Sequence, residues 1–180
     1  MHGIIHLELE KFVVQGFGRD AWDKLLDKTG LTARLYTPVQ TYPDDDIVRV
    51  VGAAVEMTGK SATEILEAFG EFVVPTYLQV YGALLDSSWK TLDVIEHTEE
   101  TIHRVVRMRQ PGAAPPRLHV ERKSDDEVLI TYDSPRKLCA VARGISSGVA
   151  KHFGEHIAIT DRACMSSGAP KCLISVRRVR

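Results

Sequence analysis

The chain has 180 residues, of which 44% are hydrophobic and 26% charged, with a net charge of −1 and three cysteines. That length suits one domain with a core large enough to enclose a cofactor, and the composition excludes disorder, a collagen-like repeat and a disulfide-built scaffold. Balanced charge with scattered Lys and Arg provides no basic stripe for nucleic acid, and no apolar run approaches the roughly 20 residues that span a bilayer, so neither nucleic acid nor membrane is an expected partner.

Glu8 and Glu10 fall where a signal peptide would run apolar, which points to the cytoplasm. Ile4, Ile5, Leu7, Leu9, Phe12 and Val13 recur at helical spacing and predict a short buried helix interrupted by Gly16 and Gly18. Residues 20–28 read as a second helix, capped by Asp20 and stopped by Gly30. Asp44, Asp45 and Asp46 place acidic charge at the start of a third, which ends near Thr58 at Gly59. Ser61 and Glu64 form a capping box for a fourth, which turns Ile65, Leu66, Phe69, Val73 and Tyr77 toward a core and is kinked by Pro75. A long helix over about 89–109 stops at Pro111-Gly112.

Beyond Pro115-Pro116 the pattern changes to strands over 117–121 and 128–132, a helix over 136–153, and strands over 156–161 and 172–179. The order predicts an α+β fold within a single domain. An N-terminal helical subdomain of about 1–60 is followed by a part of about 61–180 containing a four-stranded antiparallel sheet and a helix.

On the long helix, His103 shares one face with Leu92, Ile95, Ile102 and Val106, although Glu99 falls in the same arc, while His97 points to solvent. A half-buried histidine bonded to a neighbour fits this pattern; so does a neutral imidazole on a rigid helix that binds a heme iron from one side. Tyr132, Ser134 and Arg136 form a Tyr-x-Ser-x-Arg pattern where a strand meets a helix. Alternation puts a phenol, a hydroxyl and a guanidinium on one face, which suits a carboxylate. A helix cap with a surface ion pair would use the same residues.

Together, His103, Pro115-Pro116-Arg117-Leu118 and Tyr132-x-Ser134-x-Arg136 resemble the heme-nitric oxide/oxygen binding (H-NOX) family, whose bacterial members are related to the heme domain of soluble guanylate cyclase. The resemblance extends over the whole chain, including the opening Met-x-Gly-x-Ile, Asp44-Asp45-Asp46 and Thr58-Gly59-Lys60. It implies heme b held between the two parts, with His103 as proximal iron ligand. Tyr132, Ser134 and Arg136 would hold the propionates, Pro116 and Ile5 would press on the porphyrin, and Asp45 would brace Arg136. Dioxygen-holding members carry a distal tyrosine, tryptophan and asparagine, and the matching positions here are Val141, Leu9 and Val73. A pocket of Ile5, Leu9, Val73, Val141 and Ile145 lacks the hydrogen-bond donor that dioxygen needs and nitric oxide does not. Tyr77 falls at an aromatic position of that lining, and an inward hydroxyl there would admit weak dioxygen binding. The implied function is a sensor for nitric oxide and carbon monoxide, not itself an enzyme. Gas binding would weaken the bond to His103, and a small rotation of the subdomains would signal to a separate protein, a histidine kinase or a cyclic-di-GMP enzyme.

Cys139, Cys164 and Cys172 offer three thiolates to a tetrahedral zinc, although spacings of 25 and 8 residues match no short zinc motif and buried free thiols fit equally. Some family members carry a histidine three residues before the second cysteine. Here that position is Asp161, which the resemblance makes the fourth ligand, with His152 or His156 as substitutes. Zinc loss would free the thiols for a redox input. Two other readings stay open: a heme-free, zinc-stabilised module for a small apolar ligand, and a heme peroxidase in which His2 and His6 shuttle protons.

Overall fold

One helix start and two helix ends in the N-terminal half have a local cause in the backbone and its capping residues. The computed structural model describes residues 1–179. Helix α1 covers Gly3–Phe17, α2 Arg19–Thr29, α3 Asp44–Thr58 and α4 Ala62–Tyr81. Helices α2 and α3 end on Gly30 and Gly59 in the left-handed conformation, where glycine has no steric penalty. The capping box is formed: the Glu64 amide donates to Ser61 Oγ and the Ser61 amide to Glu64 Oε2. Helix α4 continues through Pro75.

The expected long helix is not uniform. It consists of α5 (Thr91–Thr98), a π-helical turn (Glu99–His103) and α6 (Arg104–Arg109). The hydroxyls of Thr98 and Thr101 donate back to the carbonyls of Val94 and His97, competing for the acceptors that an α-helical ladder uses. His97 does not stand free in solvent but stacks on Trp89, with ring centroids 4.6 Å apart.

Strands β1 (Arg117–Ser124), β2 (Glu127–Asp133), β3 (His156–Ala163) and β4 (Cys172–Val179) form an antiparallel sheet in the order β1-β2-β4-β3. Helix α7 spans Cys139–Phe153. It was expected from Arg136, but Lys137 adopts φ 52°, a left-handed conformation that keeps the preceding turn out of the helix. One core cluster joins Leu9, Val13, Trp22, Leu25, Ile47 and Val50 with Phe69 and Val73 of α4, past residue 60, and a second joins Leu92 and Ile95 with the sheet.

Helices α4 and α7 approach nearly backbone to backbone. A Cβ on Gly144 would lie 2.0 Å from the Glu67 carbonyl oxygen, and one on Gly70 would lie 2.4 Å from that of Val141. Arg143–Glu67 and Lys151–Glu71 ion pairs span the same crossing. Gly144→Ala should therefore force the helices apart and lower stability by about 1–3 kcal/mol. Chemical denaturation of the purified variant measures this, and an unchanged midpoint would contradict so close a crossing.

Candidate functional site

The π-helical turn sets His103 at its last position, with its side chain 15% exposed. His103 Nδ1 lies 3.0 Å from Glu99 Oε2, which also accepts from the Leu118 amide at 3.1 Å, while Glu99 Oε1 pairs with Arg107. Burial opposes charge on Glu99, but the hydrogen bonds from His103, Leu118 and Arg107 outweigh it and hold the carboxyl below its usual range. Burial lowers the His103 pKa against the pull of Glu99, which favours a neutral imidazole.

The turn after β2 gathers the Tyr-x-Ser-x-Arg residues. Tyr132 and Ser134 are buried, and burial raises the Tyr132 phenol although Ser134 and the Leu138 backbone hydrogen-bond to it. The Arg136 amide donates to Ser134 Oγ at 3.3 Å. The Arg136 guanidinium donates from Nε to Asp44 Oδ2 at 2.9 Å and from Nη1 to the Ala114 carbonyl at 2.5 Å. The brace from the helical half is thus Asp44 rather than Asp45, whose carboxylate pairs with Arg49 on the surface. Ser134, Arg136 and Arg117 line a cavity of about 280 Å³ with Ala114, Pro115, Asp133 and Pro135, beside the half-buried Pro116.

Leu9 and Val73 are buried in the first core cluster, and Ile5, Tyr77, Val141 and Ile145 pack against it. All six positions expected in the distal lining thus belong to one core cluster or pack on it, with Leu9 and Val73 covered by protein. The last four keep partial exposure, as do Ile102, Val105 and Val106 around His103. Tyr77 is half-buried, and burial drives its phenol far above the usual range. The chemistry of these residues, a buried imidazole, half-buried apolar side chains and a cavity lined by Ser134, Arg117 and Arg136, suits a flat apolar group with a carboxylate edge.

His6 is not placed for proton shuttling in that lining. It is 2% exposed and stacks on Tyr36 with centroids 4.2 Å apart, edge-on to Tyr42, and its buried Nε2 has no hydrogen-bond partner.

The three cysteines are brought together. Their Sγ atoms lie within 4.8 Å of one another, with Cys139–Cys164 at 3.7 Å and Cys164–Cys172 at 4.0 Å, and the Met165 amide donates to Cys172 Sγ. Burial, then the neighbouring sulfurs, pushes the Cys139 thiol up to about 12. Cys164 moves down: burial opposes this, but hydrogen bonds from Ser166 and the other two sulfurs prevail. Asp161 does not join the sulfurs. Its Oδ2 meets Arg143 Nη1 at 2.8 Å, and the same nitrogen lies 3.8 Å from Cys139 Sγ. His152 and His156 are exposed near the opposite ends of α7 and β3.

Sequence reasoning missed three side chains: Glu99, Asp44 as the brace, and Arg143. Glu99 and Arg143 each stand four residues from a singled-out residue, His103 and Cys139, and that helical spacing was the available signal.

A sequence model of the family described as Haem-NO-binding matches residues 2–161. The chain is similar to soluble guanylate cyclases of Caenorhabditis elegans (22% identity over 163 residues, 85% of this chain) and Drosophila melanogaster (23% over 155 residues, 85% of this chain). It spans 23% of the length of each of these relatives. Its structure is similar to that of an H-NOX protein from S. oneidensis in the Fe(II)NO ligation state, with a TM-score of 0.93, 25% identity and full coverage of both chains. The unliganded Fe(II) H-NOX protein from K. algicida shares the fold, with a TM-score of 0.90 at 23% identity, covering 100% of this chain and 97% of the other.

Burial lowers the His6 pKa to about 4 from 6.5, against the opposing charges of Asp46 and Asp44 and with the help of Arg34 and the chain amino group. Between those values the unfolded chain binds a proton that the folded chain refuses, so stability present above pH 6.5 is lost as pH falls toward 4. The loss should be about 3 kcal/mol. His6→Phe keeps the ring stack and removes the titration, so its denaturation midpoint should fall less over this range. Parallel pH profiles for the two proteins would contradict the assignment.

Proposed function

We propose, from the premise that the chain belongs to the Haem-NO-binding family, that it is a gas sensor that binds nitric oxide and carbon monoxide at a ferrous heme b and excludes dioxygen. The supporting observation is the conjunction of a buried His103 oriented by Glu99, Ser134 and Arg136 lining one cavity with Tyr132 bonded to Ser134, and a core cluster in which Leu9, Val73 and Val141 are all apolar. Bound heme would supply an iron able to take a diatomic gas.

The residues divide the work. His103 would hold the iron through Nε2, and Arg136, Tyr132 and Ser134 would hold the propionates. Pro116 and Ile5 would press on the ring. Asp44 holds Arg136 in place from the helical half, so the guanidinium joins the two parts of the chain at the edge of the site. Leu9, Val73, Val141 and Ile145 present no donor to a bound gas. Tyr77 is the position on which dioxygen exclusion turns, because a phenol aimed at the gas would supply the missing hydrogen bond. The signal passes to a separate protein, a histidine kinase or a cyclic-di-GMP enzyme in the cytoplasm. No helix among the described residues is long and apolar enough to cross a membrane.

The cysteine cluster supports a zinc site that ties α7 to the last hairpin. Zinc–sulfur bonds of about 2.3 Å in a tetrahedron separate the sulfurs by roughly 3.8 Å, close to the 3.7 and 4.0 Å separations here. Asp161 would complete the set only by leaving Arg143.

Absorption spectra of the ferrous, heme-loaded protein test the main reading. Nitric oxide and carbon monoxide should each give a distinct complex, and air should give none that persists. Tyr77→Phe should leave all three spectra unchanged. A stable oxy spectrum that Tyr77→Phe abolishes would overturn the exclusion, and a protein that takes up no heme would overturn the whole reading. Metal analysis of chelator-free protein should find one zinc per chain, lost on Cys139→Ser; three titratable thiols without metal would contradict the zinc site.

A further inference from the structure

The carboxylate of Glu99 is the acceptor at the centre of the proximal side. Its Oε2 faces His103 Nδ1 at 3.0 Å and the Leu118 amide at 3.1 Å, and its Oε1 takes the Arg107 guanidinium. Three donors on two oxygens keep the group ionised, and an ionised carboxylate only accepts. With an acceptor-only carboxylate 3.0 Å from Nδ1, the tautomer that donates from Nδ1 is the one this contact supports, and it leaves the lone pair on Nε2. Arg107 and His103 occupy different oxygens, so the cation does not displace the imidazole from its acceptor.

We propose that Glu99 is a positioning residue that gives His103 partial imidazolate character and makes Nε2 a stronger axial donor to iron than an imidazole bonded to a neutral acceptor. This rests on the reading above that His103 holds a heme. A carboxylate behind a metal-bound imidazole raises the basicity of the ligating nitrogen and fixes its ring. Electron density supplied by the axial ligand is one of the main levers a protein has over a heme iron. Because Glu99 also holds the Leu118 amide, the ring is tied to the first residues of β1, two positions beyond Pro116. If His103 leaves its ligating position it must either break the Glu99 bond or pull on the segment carrying Pro116. Glu99 thus raises the resistance to release and connects release to the sheet.

The consequence concerns the nitric oxide response. A stronger bond to Nε2 resists weakening from the opposite axial position, so more of the nitrosyl protein should keep His103 bound than in a variant with a neutral partner.

The test compares heme-loaded wild type with Glu99→Gln, which keeps the size and an acceptor for the Leu118 amide, and with Glu99→Ala. Resonance Raman spectra of the ferrous proteins read the iron–histidine stretch directly. Glu99→Gln should move that band to lower frequency, raise the heme potential, increase the five-coordinate fraction of the nitrosyl complex and release heme to an acceptor protein roughly tenfold faster. An unchanged band and potential in Glu99→Gln would overturn the proposal while leaving His103 as ligand. Absence of an iron–histidine band in the wild type would instead overturn the reading of His103 itself.

Discussion

Helices α4 and α7 meet with Gly144 against the Glu67 carbonyl and Gly70 against that of Val141, too close for any side chain between them. The expected apolar lining and the cysteine cluster both depend on that contact. Helix α4 brings Val73 and Tyr77, and α7 brings Val141 and Ile145, so the crossing distance sets the width of the apolar lining. Cys139 begins α7, and Arg143 one turn later pairs with Glu67 on α4 and Asp161 on β3. The thiol cluster and the lining are thus parts of one packed unit, and the small residues of α7 are there because backbone must touch backbone.

The second organising element is electrostatic. A neutral imidazole on an otherwise apolar helix face would be a weak and poorly oriented ligand. Glu99 supplies the orientation, and Leu118 and Arg107 keep Glu99 itself in place. Across the chain, Asp44 does the same for Arg136, reaching it from 92 residues away in sequence. In both cases the side chain proposed to carry the chemistry is held by a carboxylate from a different segment or turn.

Much of this was legible in the sequence. The capping box at Ser61, the glycine stops and the α+β order follow from local chemistry that burial does not alter. His103 and Tyr132-x-Ser134-x-Arg136 stood out because uncommon side chains sat at fixed spacings. The misses have physical causes. Three consecutive aspartates point about 100° apart around a helix, so sequence alone could not say that Asp44 rather than Asp45 meets Arg136. Glu99 looked like a flaw in an apolar stripe because its partners arrive from the π-helical turn and from β1. Asp161 aligned with a ligand position, but Arg143, unseen as a competitor, takes its carboxylate.

The central claim is that His103 Nε2 is the one bond from this chain to the heme iron. It is tested most directly by titrating heme into wild type and His103→Gly, each with and without added imidazole, and recording the ferrous spectra. Wild type should bind one heme per chain with a five-coordinate histidine-type spectrum, and His103→Gly should give that spectrum only when imidazole is present. A His103→Gly protein with the wild-type spectrum in the absence of imidazole would contradict it.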